Sequence, residues 1–73
     1  MADLAVRSEV AGVVARISAS VGGRVDEGDE VIILEAMKME LPVLAPAAGV
    51  IAAILVGEGD AVSEGQAIAT LAR

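Results

Sequence analysis

The chain has no cysteine, no histidine, no phenylalanine, tyrosine or tryptophan, and a single lysine. Without cysteine it has no disulfide staple and no thiolate metal site. Without histidine it also lacks the usual zinc and copper ligands and an imidazole acid or base. The missing aromatics leave Val, Ile, Leu and Ala to build the core and remove the platforms on which nucleobases stack. Basic residues are few as well: five Lys and Arg against eleven Asp and Glu give a net charge of -6, which repels phosphate backbones and anionic lipid surfaces. Neither a nucleic acid nor a membrane is expected as a partner. An enzyme would have only carboxylates, serines and one lysine to work with, so a non-catalytic role is expected.

The 73 residues are read as one domain, 1–73, close to the size below which a core struggles against chain entropy. No basic residue precedes an apolar stretch at the start, where Met1-Ala2-Asp3 stands. A cytoplasmic location is expected on that ground. Leu41 to Gly57 is uncharged and almost long enough to cross a bilayer, but Pro42, Pro46 and Gly49 interrupt it, so a membrane span is not expected.

What the chain does have is a repeat. Sliding it against itself by 37 positions aligns Gly12-Val13 with Gly49-Val50, Ala15 with Ala52, Ile17 with Ile54 and Gly22 with Gly59. Without a gap the same offset pairs Val25 with Val62, Glu27 with Glu64, Gly28 with Gly65, Val31 with Ile68 and Leu34 with Leu71. Two copies are too few for a solenoid, so they are expected to pack on each other about an approximate two-fold axis. Each copy runs from Gly through a β-branched stretch to a Gly-rich acidic turn, which predicts strands and turns. Ala47 to Leu55 alone has the composition of a helix. Its partner Val13 to Ile17 alternates with period two, with Val13, Ala15 and Ile17 on one face and Val14 and Arg16 on the other, so both copies are expected to be β.

Gly22, Gly28, Gly59 and Gly65 are expected at turns that require positive φ or close approach. Gly22-Gly23-Arg24 lacks the ending of a phosphate-binding loop. Asp26-Glu27-Gly28-Asp29-Glu30 clusters acids without calcium-loop spacing and is read as a solvated turn.

The lysine is Lys38, in Glu35-Ala36-Met37-Lys38-Met39-Glu40. Val31-Ile32-Ile33-Leu34 before it and Leu41-Pro42-Val43-Leu44 after it read as strands, which puts Lys38 at a hairpin tip. An ammonium held in water stays protonated and is a poor nucleophile until an enzyme deprotonates it. Lys38 therefore has the character of a target rather than a catalyst, and a sole lysine makes the target unambiguous. Met37 and Met39 flank it with flexible, polarizable side chains that can adapt to several partner surfaces.

Ala36-Met37-Lys38-Met39 resembles the attachment motif of biotinyl domains, the carriers of biotin-dependent carboxylases, decarboxylases and transcarboxylases. The resemblance runs from about Val10 to Leu71 and includes Glu35, Ala45-Pro46-Ala47-Ala48-Gly49-Val50 and Gly59-Asp60-Ala61-Val62-Ser63-Glu64-Gly65. The short chain looks most like the small free-standing biotin/lipoyl attachment proteins. The resemblance implies an all-β fold, a flattened antiparallel barrel of two four-stranded sheets with quasi-two-fold symmetry. It also implies covalent biotin on Lys38, with Glu35, Ala36, Met37 and Met39 around the attachment point. The implied partners are a biotin protein ligase, which activates biotin as an acyl-adenylate, then a biotin carboxylase and a carboxyltransferase. The acceptor is commonly an acyl-CoA, the setting of fatty acid biosynthesis, and the domain is expected to be a monomer in isolation. Glu35 and Glu40 border the tip, either to orient a ligase or to keep the hairpin soluble. The family often has Gly-Asp in the first repeat where Gly22-Gly23 stand here, so no side-chain cap is expected at that turn. Lipoyl domains, which share the fold, usually show Asp-Lys-Ala at the tip, so Met-Lys-Met favours biotin. A lipoyl carrier and an unmodified β interaction module are the alternatives.

Overall fold

A core without rings must be assembled from strands that bury nearly every aliphatic side chain they carry, and two strands of this chain do so. The computed structural model describes residues 3–73. Met1 and Ala2, on which the expectation of a cytoplasmic start partly rests, lie outside the described residues. Eight strands follow in order: β1 (Asp3–Arg7), β2 (Gly12–Ile17), β3 (Arg24–Val25), β4 (Glu30–Ala36), β5 (Met39–Leu44), β6 (Gly49–Ile54), β7 (Ala61–Val62) and β8 (Ala67–Ala72). They form two four-stranded antiparallel sheets, ordered β1-β8-β6-β3 and β5-β4-β2-β7. The expected all-β fold, a flattened antiparallel barrel of two four-stranded sheets, is the observed one.

The halves are interlocked about the expected dyad. Each sheet takes two neighbouring strands from one half and single strands from the other, so strands related by the 37-residue offset fall in opposite sheets. The joining hydrogen bonds come in pairs. Gly22 N–H donates to Ile51 O at 2.8 Å and Gly59 N–H to Val14 O at 2.8 Å. Ile51 N–H donates to Gly23 O at 2.9 Å and Val14 N–H to Asp60 O at 2.9 Å. A turn of each half thus fastens a strand of the other, which satisfies backbone groups that an edge would leave open.

The core is aliphatic and lies between the sheets. Ile32, Leu34, Ile51, Ile68 and Leu71 are its largest fully buried side chains, with Val6, Val14 and Val31. Leu34 and Leu71, equivalent under the repeat, are both completely buried. Val50 to Ile54 is strand, as its partner in the first half requires. No helix in the described residues is long and apolar enough to cross a membrane, and the uncharged stretch from Leu41 forms β5 and β6.

One detail of the period-two reading is corrected. In β2 the register against β4 shifts between Val14 and Arg16, so Ala15 is an extra, bulged residue. A bulge moves every later side chain to the other face. Val14 therefore points into the core while Arg16 is exposed, and Val13 is outside while Ile17 packs on the core. The same shift falls between Ile51 and Ala53 in β6, so both copies carry it.

The four predicted turn glycines all have positive φ, between 82° and 88°. In the acidic turn, Asp29 Oδ2 accepts from Asp26 N–H at 2.8 Å, and the repeat-related Gln66 Oε1 accepts from Ser63 N–H at 2.9 Å. Asp60 Oδ2 caps its own turn through Gly57 N–H at 2.8 Å. At the equivalent first turn Gly23 has no side chain to offer, and the backbone bond from Gly23 N–H to Ser20 O, 2.9 Å, is what remains.

Truncating either central leucine should leave a cavity that small neighbours cannot fill. Leu34→Ala and Leu71→Ala should each cost about 2–5 kcal/mol in chemical denaturation, a large share of the ~5–15 kcal/mol typical of a domain. A cost below about 1 kcal/mol at one site and not the other would contradict their equivalence.

Candidate functional site

β4 and β5 pair from Glu30↔Leu44 up to Glu35↔Glu40 and Ala36↔Met39. Only Met37 and Lys38 remain to close the hairpin. Both have positive φ, 51° and 63°, which makes this a two-residue type I′ turn, whose twist matches that of the strands it joins. Asn-Gly or Gly-Gly is the usual occupant. A methionine and a lysine in the left-handed region cost on the order of 1 kcal/mol or more each, so this turn is held in its shape by the ladder beneath it. Gly12 assists: a Cβ there would lie 2.6 Å from Glu35 O and 3.3 Å from Ala36 Cβ. Its bare backbone lets β2 close against β4 just below the tip.

The predicted site residues separate by direction. Met37 is 85% and Met39 57% exposed, and Lys38 and Glu35 are exposed with them. Ala36 is buried and points inward, so it supports the turn and offers no surface. Glu35 and Glu40 face each other across the strand pair, and Arg16 Nη2 on β2 lies 3.7 Å from Glu40 Oε1. Arg16 is the member of this surface that sequence reasoning missed, because the bulge at Ala15 is what brings its side chain outside. The signal was available in the repeat, where Arg16 aligns with Ala53 and is thus a charge the fold does not need. The one ion pair among the described residues is this Arg16–Glu40 contact, so the Lys38 amine is unpaired.

The tip is convex. A groove of about 300 Å³ lies elsewhere, between Arg7, Glu9 and Val10 on one side and Leu41 to Leu44 on the other, and none of Met37, Lys38 or Met39 lines it. The molecule measures 36 × 18 × 17 Å. The dyad relates the hairpin tip to the place where β1 and β8 pair through Asp3↔Ala72, so the Lys38 turn and that place lie on opposite sides of the axis. An unpaired amine at the apex of a rigid hairpin can be reached by a protein far larger than itself.

Comparison with known proteins places this geometry in a family. The family model described as "Biotin-requiring enzyme" matches residues 3–71, and the chain belongs to that family of biotin/lipoyl attachment domains. It is 48% identical over 40 residues to biotinylated protein TB7.3 of Mycobacterium tuberculosis, a match covering 55% of this chain and 56% of that protein. The aligned stretch thus spans little more than half the length of that curated relative. Among solved structures, the urea carboxylase of Kluyveromyces lactis superimposes with a TM-score of 0.94 at 38% identity, over 99% of this chain and 6% of that one. A single-chain, multi-domain long-chain acyl-CoA carboxylase gives 0.89 at 31% identity, over 97% and 7%. The lipoyl domain of the 2-oxoglutarate dehydrogenase complex of Azotobacter vinelandii gives 0.71 at 34% identity, over 88% and 81%.

If the tip stores strain, relieving it should stabilise the domain. Lys38→Gly should raise stability by about 1 kcal/mol, which for a domain of this size is a rise in Tm of about 4–8 °C. An unchanged or lower Tm would mean that the turn is relaxed as it stands.

Proposed function

We propose that Lys38 carries covalent biotin and that the domain is a carboxyl carrier serving a biotin carboxylase and a carboxyltransferase, with an acyl-CoA as the acceptor. The observation that carries this reading is the unpaired lysine at the apex of a type I′ hairpin, between two exposed methionines. The match to a biotinylated relative and the likeness to two carboxylases support it. The residues present suit the group, since an exposed amine with no ion pair to give up is free to be acylated by a ligase. Acylation turns the ammonium into a neutral amide. Biotin, when bound, supplies the carboxyl-carrying chemistry through its ureido ring.

The chain's own part is mechanical. The β4–β5 ladder fixes where the tether begins, and the buried Ala36 and the close approach at Gly12 keep the turn from folding back. Met37 and Met39 give incoming active sites an apolar, adaptable surface on both sides of the lysine. Tethering then converts transfer between separate sites into a local encounter at high effective concentration. The domain is proposed to act without catalysing, as a monomer, in the cytoplasm. A lipoyl carrier is the second reading, favoured by the likeness to the lipoyl domain. Met-Lys-Met at the tip weighs against it.

Incubation with a biotin ligase, biotin and ATP should add one biotin by intact mass, and none to Lys38→Arg, which should keep the fold. Covalent capture of the arginine variant by streptavidin would refute the site, and efficient labelling by a lipoate ligase instead would favour the second reading. Met37→Ala with Met39→Ala should lower the rate of carboxyl transfer to an acyl-CoA, measured with carrier-deficient carboxylase and carboxyltransferase, about tenfold. The same change should move Tm by no more than about 2 °C, because exposed side chains contribute little to folding. Loss of stability with unchanged transfer would assign the methionines to the fold.

A further inference from the structure

Methionine has two roles at this tip if its sulfur is counted as well as its shape. Oxidation by peroxide depends on exposure, and thiols are ordinarily the first groups to react. This chain has no cysteine, so its methionines are the only sulfur it offers. Of its three methionines, two bracket Lys38, with exposures of 85% and 57%. The left-handed turn holds Met37 away from the body and the end of the ladder leaves Met39 outside, while neither belongs to the core. Leucine or isoleucine would provide an apolar flank without this chemistry.

We propose that Met37 and Met39 form a reversible oxidation site, thioether to sulfoxide, that governs whether Lys38 is accepted by its ligase. This rests on the reading of Lys38 as the biotin acceptor. In the step, hydrogen peroxide transfers one oxygen atom to each sulfur, which loses two electrons. The O–O bond breaks, the peroxide is reduced to water, and an S–O bond forms. The product is a polar, chiral group with a strong acceptor oxygen. Burying it against a surface shaped for a thioether strands that oxygen without a partner, a penalty equivalent to about tenfold in rate. The fold itself is untouched, because both side chains lie outside the core. Reversal requires methionine sulfoxide reductases of both stereochemical classes and a thiol reductant.

The test begins with the 73-residue chain as it is, treated with hydrogen peroxide and freed of peroxide before ligase, biotin and ATP are added. Peptide mass analysis should find one oxygen on each of Met37 and Met39. Tm should be unchanged, the rate of biotin addition should fall about tenfold or more, and treatment with both reductases should restore it. A Met37→Leu, Met39→Leu variant, whatever its own starting rate, should be labelled equally fast before and after peroxide. The proposal is overturned if oxidised wild type is labelled at its original rate, or if peroxide slows the leucine variant as much as wild type. No labelling before peroxide treatment would overturn the biotin reading and this proposal with it.

Discussion

A core without an aromatic ring has no single large side chain to organise it, so burial must come from strands packed over their whole length. β4 and β8 fill that role. Val31, Ile32 and Leu34 on one, and Ile68, Ala69 and Leu71 on the other, have no exposed surface. Each is an inner strand of its sheet, flanked on both sides, and together they are two copies of one sequence pattern meeting across a dyad. At about 25 cal/mol per Å² of apolar surface removed from water, aliphatic burial in a chain of 73 residues leaves little surplus over chain entropy. The interlocking follows from that constraint. When turns of one half bond strands of the other, as at Gly22–Ile51 and Gly59–Val14, neither half can unfold without opening both.

The dyad also acts as an internal control. Whatever folding needs should occur in both copies, and whatever differs is free for other uses. The bulges at Ala15 and Ala52, the positive-φ turn glycines and the paired leucines occur twice. Arg16, Glu35 and Thr70 do not: their counterparts are Ala53, Ala72 and Ile33. Arg16 and Glu35 are therefore charges added to the repeat, on the outer face of the sheet that ends in Lys38, whereas Glu40 has an acidic counterpart in Asp3. On the other sheet the positions of Arg16 and Glu35 hold Ala53 and Ala72.

Much of this was legible from residue order, because the repeat supplies two independent readings of every element. Val50 to Ile54 has a helical composition, and only its alignment with Val13 to Ile17 marks it as strand. Lys38 stood out as the sole lysine between two apolar runs. The face assignment within β2 was not legible. A bulge is a backbone event with no required side chain, and alternation continues through it in the sequence while reversing in space. The inward turn of Ala36 and the reach of Arg16 to Glu40 depend on strand pairing that the order of residues does not encode.

A carrier and an enzyme make opposite demands on a surface. Catalysis gathers groups in a concavity that excludes water, whereas a modified side chain that must enter other proteins' concavities has to stand on a convexity and bring little with it. A tight two-residue turn at the end of a regular ladder meets the second demand with the least chain. Its shape is preserved by strands it does not belong to, so strain can be concentrated at Met37 and Lys38 without loosening the core. A longer, glycine-rich loop would be relaxed, but it would let the amine wander and add ordering entropy to every docking event. The left-handed methionine and lysine are then the cost of an amine whose position is fixed, and the ladder beneath them is what holds them there.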